Sequence, residues 1–196
     1  MTYVSVAPAA HLRSWRGQDD ATLVGRVLEG DRWASEALYR RHVRRIAATA
    51  LRMLGDRSEA EDVTQDAFVE ALESLEQLRD PSKFRAWLLR IAVRKVQRRF
   101  RRRKLRRMIG LANEGDTPLE SVLSQGTSPE EAAELRLLRD ALERLRASER
   151  TAWCLRHIEG YPLAEVASVC GCSLATVKRR IEAAQMRIDR HVGALS

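Results

Sequence analysis

Apolar residues recur every three or four positions along most of the chain, and the residues between these runs are ones that start and stop helices. Asp20 is placed to cap a short helix that ends at Gly30. Asp31 opens a longer helix carrying Trp33, Ala37, Leu38, Val43, Ile46, Ala47, Ala50, Leu51 and Leu54, and Gly55 stops it. Ser58 and Glu61 form an expected capping box. Behind it Ala60, Val63, Ala67, Phe68, Ala71, Leu72 and Leu75 keep the i, i+3, i+4, i+7 rhythm of one buried face. Asp80-Pro81 restarts the chain as cap and first helical residue. Phe84, Trp87, Leu88 and Ile91 then share an inner face, while Lys83, Arg90, Arg94 and Arg101 fall on one flanking stripe. No run alternates with the period of a strand, and nothing repeats. The pattern predicts an all-α protein.

It also predicts two parts. Between Ile109 and Ser128 the rhythm lapses into LANEGDTPLESVLSQGTS, a polar stretch with Gly115, Pro118 and Gly126 that reads as a linker carrying acidic residues. Ser128-Pro129-Glu130-Glu131 is a fresh helix start. Four helices are expected beyond it, roughly 129–147, 149–159, 162–170 and 174–192. The division is therefore an N-terminal tail at 1–17, a helical domain at 18–108, a linker at 109–128 and a second small helical domain at 129–196.

The last two helices contain YPLAEVASVCGCSLATVKRRIEAA. A helix-turn-helix needs a small residue at the helix crossing, a left-handed residue in the turn and a branched apolar anchor in the second helix. Ala167, Gly171 and Val177 supply them, and Ser173 caps the second helix. Leu174, Ala175, Lys178 and Arg179 then lie near its N-terminal end, where a recognition helix meets base edges and phosphates. A packing-only helical hairpin would share the glycine and the apolar face, but does not need the basic outer face.

Charge sharpens the picture. The 196 residues hold 35 basic and 27 acidic side chains, a formal charge of +8, which suits a polyanionic partner. From Asp56 to Asp80 nine acidic residues stand against two arginines; from Pro81 to Asn113 there are thirteen Lys or Arg and no acid. Arg94 to Arg107 holds ten basic residues in fourteen. A one-sign block repels itself and is best tolerated where a polyanion neutralises it. The acidic segment before it predicts a second partner with a basic surface.

Other chemistries find little support. Cys154, His157, Cys170 and Cys172 lack the paired knuckle spacing of a structural zinc site, so buried thiols are expected and no metal or cofactor is. His11, His42, His157 and His191 are scattered, and His42 reads as a surface residue of a basic helix. There is no phosphate-binding glycine loop, nucleophile elbow or HExxH motif, so no enzyme is expected. No apolar run approaches the ~20 residues of a membrane span. Met1 to Gly17 lacks the layout of a secretory signal, and three unevenly spaced cysteines fit a reducing compartment. A cytoplasmic protein without membrane insertion is the expectation.

EDVTQDAFVEAL followed by FRAWLLRIA resembles region 2 of the extracytoplasmic-function sigma factors, and the helix-turn-helix resembles their region 4. The resemblance covers roughly Asp19 to Val192. It implies a transcription-initiation subunit that binds core RNA polymerase, recognises double-stranded promoter DNA and captures its melted non-template strand. Asp62, Gln65, Asp66 and Phe68 match the segment that docks on polymerase, although Phe68 also belongs to the core stripe. The loop Glu76 to Ser82 matches a pocket for a flipped base. Phe84, Arg85, Trp87, Arg90 and Arg94 match the helix that binds the melting element, with Lys83, Arg98 and Arg101 extending its basic face as DNA contacts. Ser173, Leu174, Thr176, Lys178, Arg179 and Arg180 are the implied contacts to the more distant element. The linker corresponds to a segment that threads the polymerase. An anti-sigma factor is a further candidate partner. Arg94 and Arg98 stand where the family often has Asn and Asp, which shifts the expected contacts toward phosphates, and Cys170 stands where leucine is usual. The alternative is a helix-turn-helix regulator that binds operators without polymerase; another is a sigma-like scaffold that supports no transcript.

Overall fold

A computed structural model describes residues 17–109 and 129–193, with the backbone alone at 104, 107 and 129–135. Every regular element among them is helical. The first domain comprises α1 (Asp20–Leu28), α2 (Arg32–Leu54), α3 (Arg57–Glu73), two 3₁₀ turns at Leu75–Gln77 and Pro81–Lys83, and α4 (Phe84–Met108). The second comprises α5 (Pro129–Glu143), α6 (Ala147–Trp153) running into a π turn at Cys154–Ile158, α7 (Leu163–Cys170) and α8 (Leu174–Gly193). The expected Ser128 cap and most of the linker lie outside the described residues.

Helix starts follow the acidic caps, with two shifts of register. Asp19, not Asp20, caps α1, its Oδ1 accepting from Thr22 N at 2.8 Å. Asp56, not Ser58, caps α3, accepting from Glu59 N at 2.8 Å. A carboxylate that reaches the N3 amide satisfies an orphan donor and opposes the positive helix end, so on α3 it outcompetes a serine two residues later. Asp31 and Asp80 cap as expected. Gly55 ends α2 in the left-handed conformation at φ 73°.

Leu38, Ile46, Met53, Val63, Phe84, Leu88 and Ile91 form the centre of the first domain and are fully buried. Ala141, Leu145, Leu155, Val166, Val177, Ala184 and Ile188 fill the second. Glu149 ties α6 to α8, accepting from Arg187 at 2.9 Å. Trp153 donates to Gln185 Oε1 at 2.8 Å and stacks on His157, so it packs rather than presents a free ring.

His42 departs from expectation. It is 6% exposed, bonded to Asp20 at 2.9 Å and tilted against the Phe84 ring. Burial works to raise the Asp20 carboxyl, but bonds from His42 and Arg41 outweigh it and hold the group below its ordinary value. The pair fastens α1 to α2 inside an otherwise arginine-rich stretch.

Candidate nucleic-acid and protein interface

The basic helix α4 has three sides. Phe84, Leu88, Ile91, Ala92 and Val96 face the core. A second edge is neutralised from within, because α3 runs antiparallel alongside and lays its carboxylates against it. Lys95 reaches Glu70 at 2.8 Å, Arg94 reaches Glu70 at 3.2 Å, Arg99 reaches Asp62 at 3.4 Å and Arg103 reaches Glu59 at 3.1 Å. Above all the Lys95 hydrogen bond keeps the Glu70 carboxyl below the usual range, with Arg94 and Arg98 adding to it. The acidic segment thus serves partly as internal counter-charge for the basic block, a role that charge counting alone did not reveal.

The third side is open. Arg90, Arg98 and Arg101 are exposed on it and form no ion pair among the described residues; Arg85, also exposed, lies on another side of the helix, toward Tyr161 of the second domain. Arg102 and Arg106 are exposed on the same helix; the helical stripe drawn from sequence omitted them, although the charge run contained them. Lys83 stands at the helix start, paired loosely with Asp80 at 3.4 Å. Trp87 is half-buried against Phe84, with ring centroids 6.3 Å apart. The adjoining loop is pinned by buried Leu75 and by Asp80, which accepts from Ser82 N at 3.1 Å and from Ser82 Oγ at 2.6 Å. Glu76, Gln77, Arg79 and Ser82 are exposed on it.

On α3, Asp62, Gln65 and Asp66 are exposed on one face. Phe68 is not with them. It is 3% exposed and meets the Tyr39 ring edge-on at 4.8 Å, so the core stripe claims it. The apolar residue that does accompany the acids is Val69, 56% exposed and seven positions after Asp62. An exposed valine off the core period was the signal for it.

In the second domain α7 and α8 form the helix-turn-helix. Gly171 takes the left-handed conformation at φ 62°, and Ala167 and Val177 are buried at the crossing. Ser173 Oγ accepts from Thr176 N at 3.2 Å and lies 2.9 Å from Thr176 Oγ1, so both hydroxyls are engaged in the cap. Leu174, Lys178 and Arg179 are exposed; Arg180 is half-buried and donates to Cys172 Sγ at 3.3 Å. Among the described residues no group of His, Cys, Asp and Glu is arranged to hold a metal.

The architecture is therefore a helical domain with an open cationic helix face, joined to a helix-turn-helix. Residues 38–106 match the family model for Sigma-70 region 2, and residues 135–187 match that for Sigma-70, region 4. RNA polymerase sigma-H factor of Pseudomonas aeruginosa is 32% identical over 188 residues, 88% of this chain and 93% of that protein. The ECF RNA polymerase sigma-E factor of Haemophilus influenzae is 30% identical over 183 residues, 90% and 96% of the two chains. The chain belongs to the extracytoplasmic-function group of the sigma-70 family. Solved sigma factors share its fold. CnrH, in complex with the cytosolic domain of CnrY, superposes with a TM-score of 0.63 at 28% identity, covering 90% of this chain and 99% of that one. RpoE of Bartonella quintana, in complex with the anti-sigma factor NepR, gives a TM-score of 0.66 at 23% identity over 81% and 96% of the chains, a likeness of fold. No helix of this sigma factor, among the described residues, is long and apolar enough to cross a membrane.

Proposed function

We propose that this sigma factor is a transcription-initiation subunit that binds core RNA polymerase, recognises promoter DNA and promotes strand opening. The observation that carries the reading is the division of α4 into a neutralised edge and an open cationic face. Opening a duplex without nucleotide hydrolysis must offset an unstacking cost of about a few kcal/mol per step with binding to the exposed strand. Arg85, Arg90, Arg98 and Arg101 offer phosphate contacts for this, with Trp87 and the Glu76–Ser82 loop at the entry end of the helix to receive a base. Arg94 contributes after sharing Glu70. Lys178 and Arg179, with Leu174, Ser173, Thr176 and Arg180 shaping the helix start, meet the upstream duplex. Asp62, Gln65 and Asp66, with Val69 in place of Phe68, form the polymerase face.

On this reading residues 18–108 and 129–196 act as separate modules joined by the 109–128 linker. The protein works in the cytoplasm, with no catalysis, cofactor or metal of its own. RpoE of Bartonella quintana, which shares the fold, is solved with an anti-sigma factor, and such a partner is a candidate regulator here. Each module binds its element weakly, and polymerase raises the effective concentration of one for the other.

Transcription reconstituted from core polymerase, a promoter library and this chain tests the proposal. Start sites should appear only when the chain is present; their absence overturns it. Within that assay Arg90→Glu with Arg98→Glu should remove open complexes at least tenfold while polymerase binding stays intact. These two positions are cleaner than Arg94, whose reversal would also repel Glu70.

A further inference from the structure

The turn of the helix-turn-helix holds two thiols. Cys170 closes α7 and Cys172 follows Gly171, and both are partly open to solvent at the edge of the core, unlike the buried Cys154. Gly171 takes φ 62° and ψ 41°, a conformation that coils the chain as tightly as a helix does. With one such residue between them, two α-carbons stand roughly 5.4 Å apart on helical geometry, inside the span that a disulfide bridges. Backbone bonds fix this closure, Cys172 N donating to Ala167 O at 3.1 Å and Gly171 N to Ser168 O at 3.3 Å. Burial pushes the Cys170 thiol up to about 11, with Cys172 adding to the rise and Arg180 opposing it. The two sulfurs are near enough to act on each other.

Their surroundings differ. Cys172 Sγ accepts from Arg180 Nη1 at 3.3 Å, so a cation of α8 sits against it, and Ser173, the cap of α8, follows it directly. A cationic neighbour and access to solvent are the setting in which a cysteine meets an oxidant. Cys170 keeps its proton longer and stands one residue away as the second thiol. Packing alone is served by any small apolar residue at either position, and does not ask for a guanidinium against a sulfur.

We propose that Cys170 and Cys172 form a peroxide-sensitive dithiol, and that its closure to a disulfide loosens the start of α8 and weakens its hold on promoter DNA. The effect on DNA rests on the initiation reading above. The Cys172 sulfur attacks one oxygen of hydrogen peroxide; the O–O bond breaks, and the leaving hydroxide takes up the thiol proton as water. The Cys170 sulfur then attacks the sulfenic acid on Cys172; the S–O bond breaks, the disulfide forms, and the second oxygen leaves as water with the Cys170 proton. The pair of sulfurs is oxidised and the peroxide reduced. A ring with a single residue between its cysteines is strained, and strained disulfides are the labile, regulatory ones. The strain falls on Cys172, which lies in the turn, because Cys170 ends a helix whose Val166, Ala167 and Val169 are buried. It passes to Ser173, whose hydroxyl and carbonyl hold the Thr176 and Val177 amides at 3.2 and 3.0 Å, and it takes the thiol from Arg180. Leu174, Lys178 and Arg179 ride on this first stretch of α8.

Mass spectrometry on the full chain after treatment with hydrogen peroxide tests the chemistry. Trypsin leaves Cys170 and Cys172 together on the peptide 157–178 and Cys154 on the peptide 151–156. The first should lose two hydrogens and regain them with dithiothreitol, while Cys154 stays a thiol. Cys170→Ala should instead leave a sulfenic acid at Cys172 that dimedone traps. Hydrogen exchange at the Thr176 and Val177 amides should quicken several-fold in the oxidised chain, a reading of α8 that needs no polymerase. In the holoenzyme, oxidation should weaken binding of an upstream-element duplex by about tenfold, the worth of roughly one base contact. Dithiothreitol should reverse that loss, and Cys172→Ala should be insensitive to peroxide. A peptide that gains oxygen without losing hydrogen overturns the proposal, as does a disulfide that leaves exchange or affinity unchanged. A holoenzyme that binds no promoter in either redox state sinks the initiation reading, while mass and exchange still decide the dithiol.

Discussion

Cys154 lies 1% exposed in the second domain, and burial pushes its thiol up to about 12, against weaker opposing pulls from Arg150 and Arg52. At pH 8 only about one such thiol in ten thousand is the reactive thiolate. Iodoacetamide should therefore leave Cys154 unmodified in the native chain and label it on denaturation, as read by mass spectrometry. Equal rates in the two states would contradict the assigned burial. The sign of the pH effect follows. The neutral thiol's contribution is fully present below the unfolded value near 9.0 and is lost progressively as pH rises from there through the folded value of about 12. Its burial was legible in sequence from its place on an apolar face. That of His42 was not, because Arg40, Arg41, Arg44 and Arg45 surround it and its partner, Asp20, lies 22 residues upstream. Phe68 shows the opposite case. The local period put it in the core, and only the family resemblance drew it toward a partner.

Among the helices, periodicity found each one and missed mainly where they begin. Asp56 and Ser58 are both good caps two residues apart, and local rules rank them nearly equal. Tertiary structure breaks the tie, since Arg103 of α4 approaches the Asp56 carboxylate at 4.0 Å, and that residue is buried while Ser58 is exposed. Asp56→Ala should then cost about 1–2 kcal/mol, and Ser58→Ala close to nothing. Urea unfolding of the two variants decides it, and a larger loss at Ser58 would restore the capping box. The ion-pair ladder between α3 and α4 was hidden for a related reason. Glu59, Asp62 and Glu70 meet Arg103, Arg99 and Lys95 only once the helices are known to lie antiparallel and in register. Charge counting sees thirteen cations in a row; packing decides which of them remain to bind something else.

Across the molecule, those remaining cations sit on two separate bodies, the open face of α4 and the start of α8, and this separation makes a quantitative claim. Each phosphate contact releases condensed counterions, so log Kobs falls with log salt by about 0.9 per contact on duplex DNA. Lys178 and Arg179 are exposed and form no ion pair among the described residues, so each is free to make one such contact. Replacing both with alanine should lower the salt slope of promoter binding by roughly 1.8 and weaken binding at low salt most. The measurement belongs to the holoenzyme, in which both modules meet one promoter and each raises the effective concentration of the other. A duplex carrying only the upstream element should show the full loss, and a pre-melted downstream fork almost none, since on the proposed reading that strand meets Arg90, Arg98 and Arg101. An unchanged slope on the upstream duplex would remove α8 as its reader. A slope reduced equally on both probes would mean that the two modules do not divide the promoter between them.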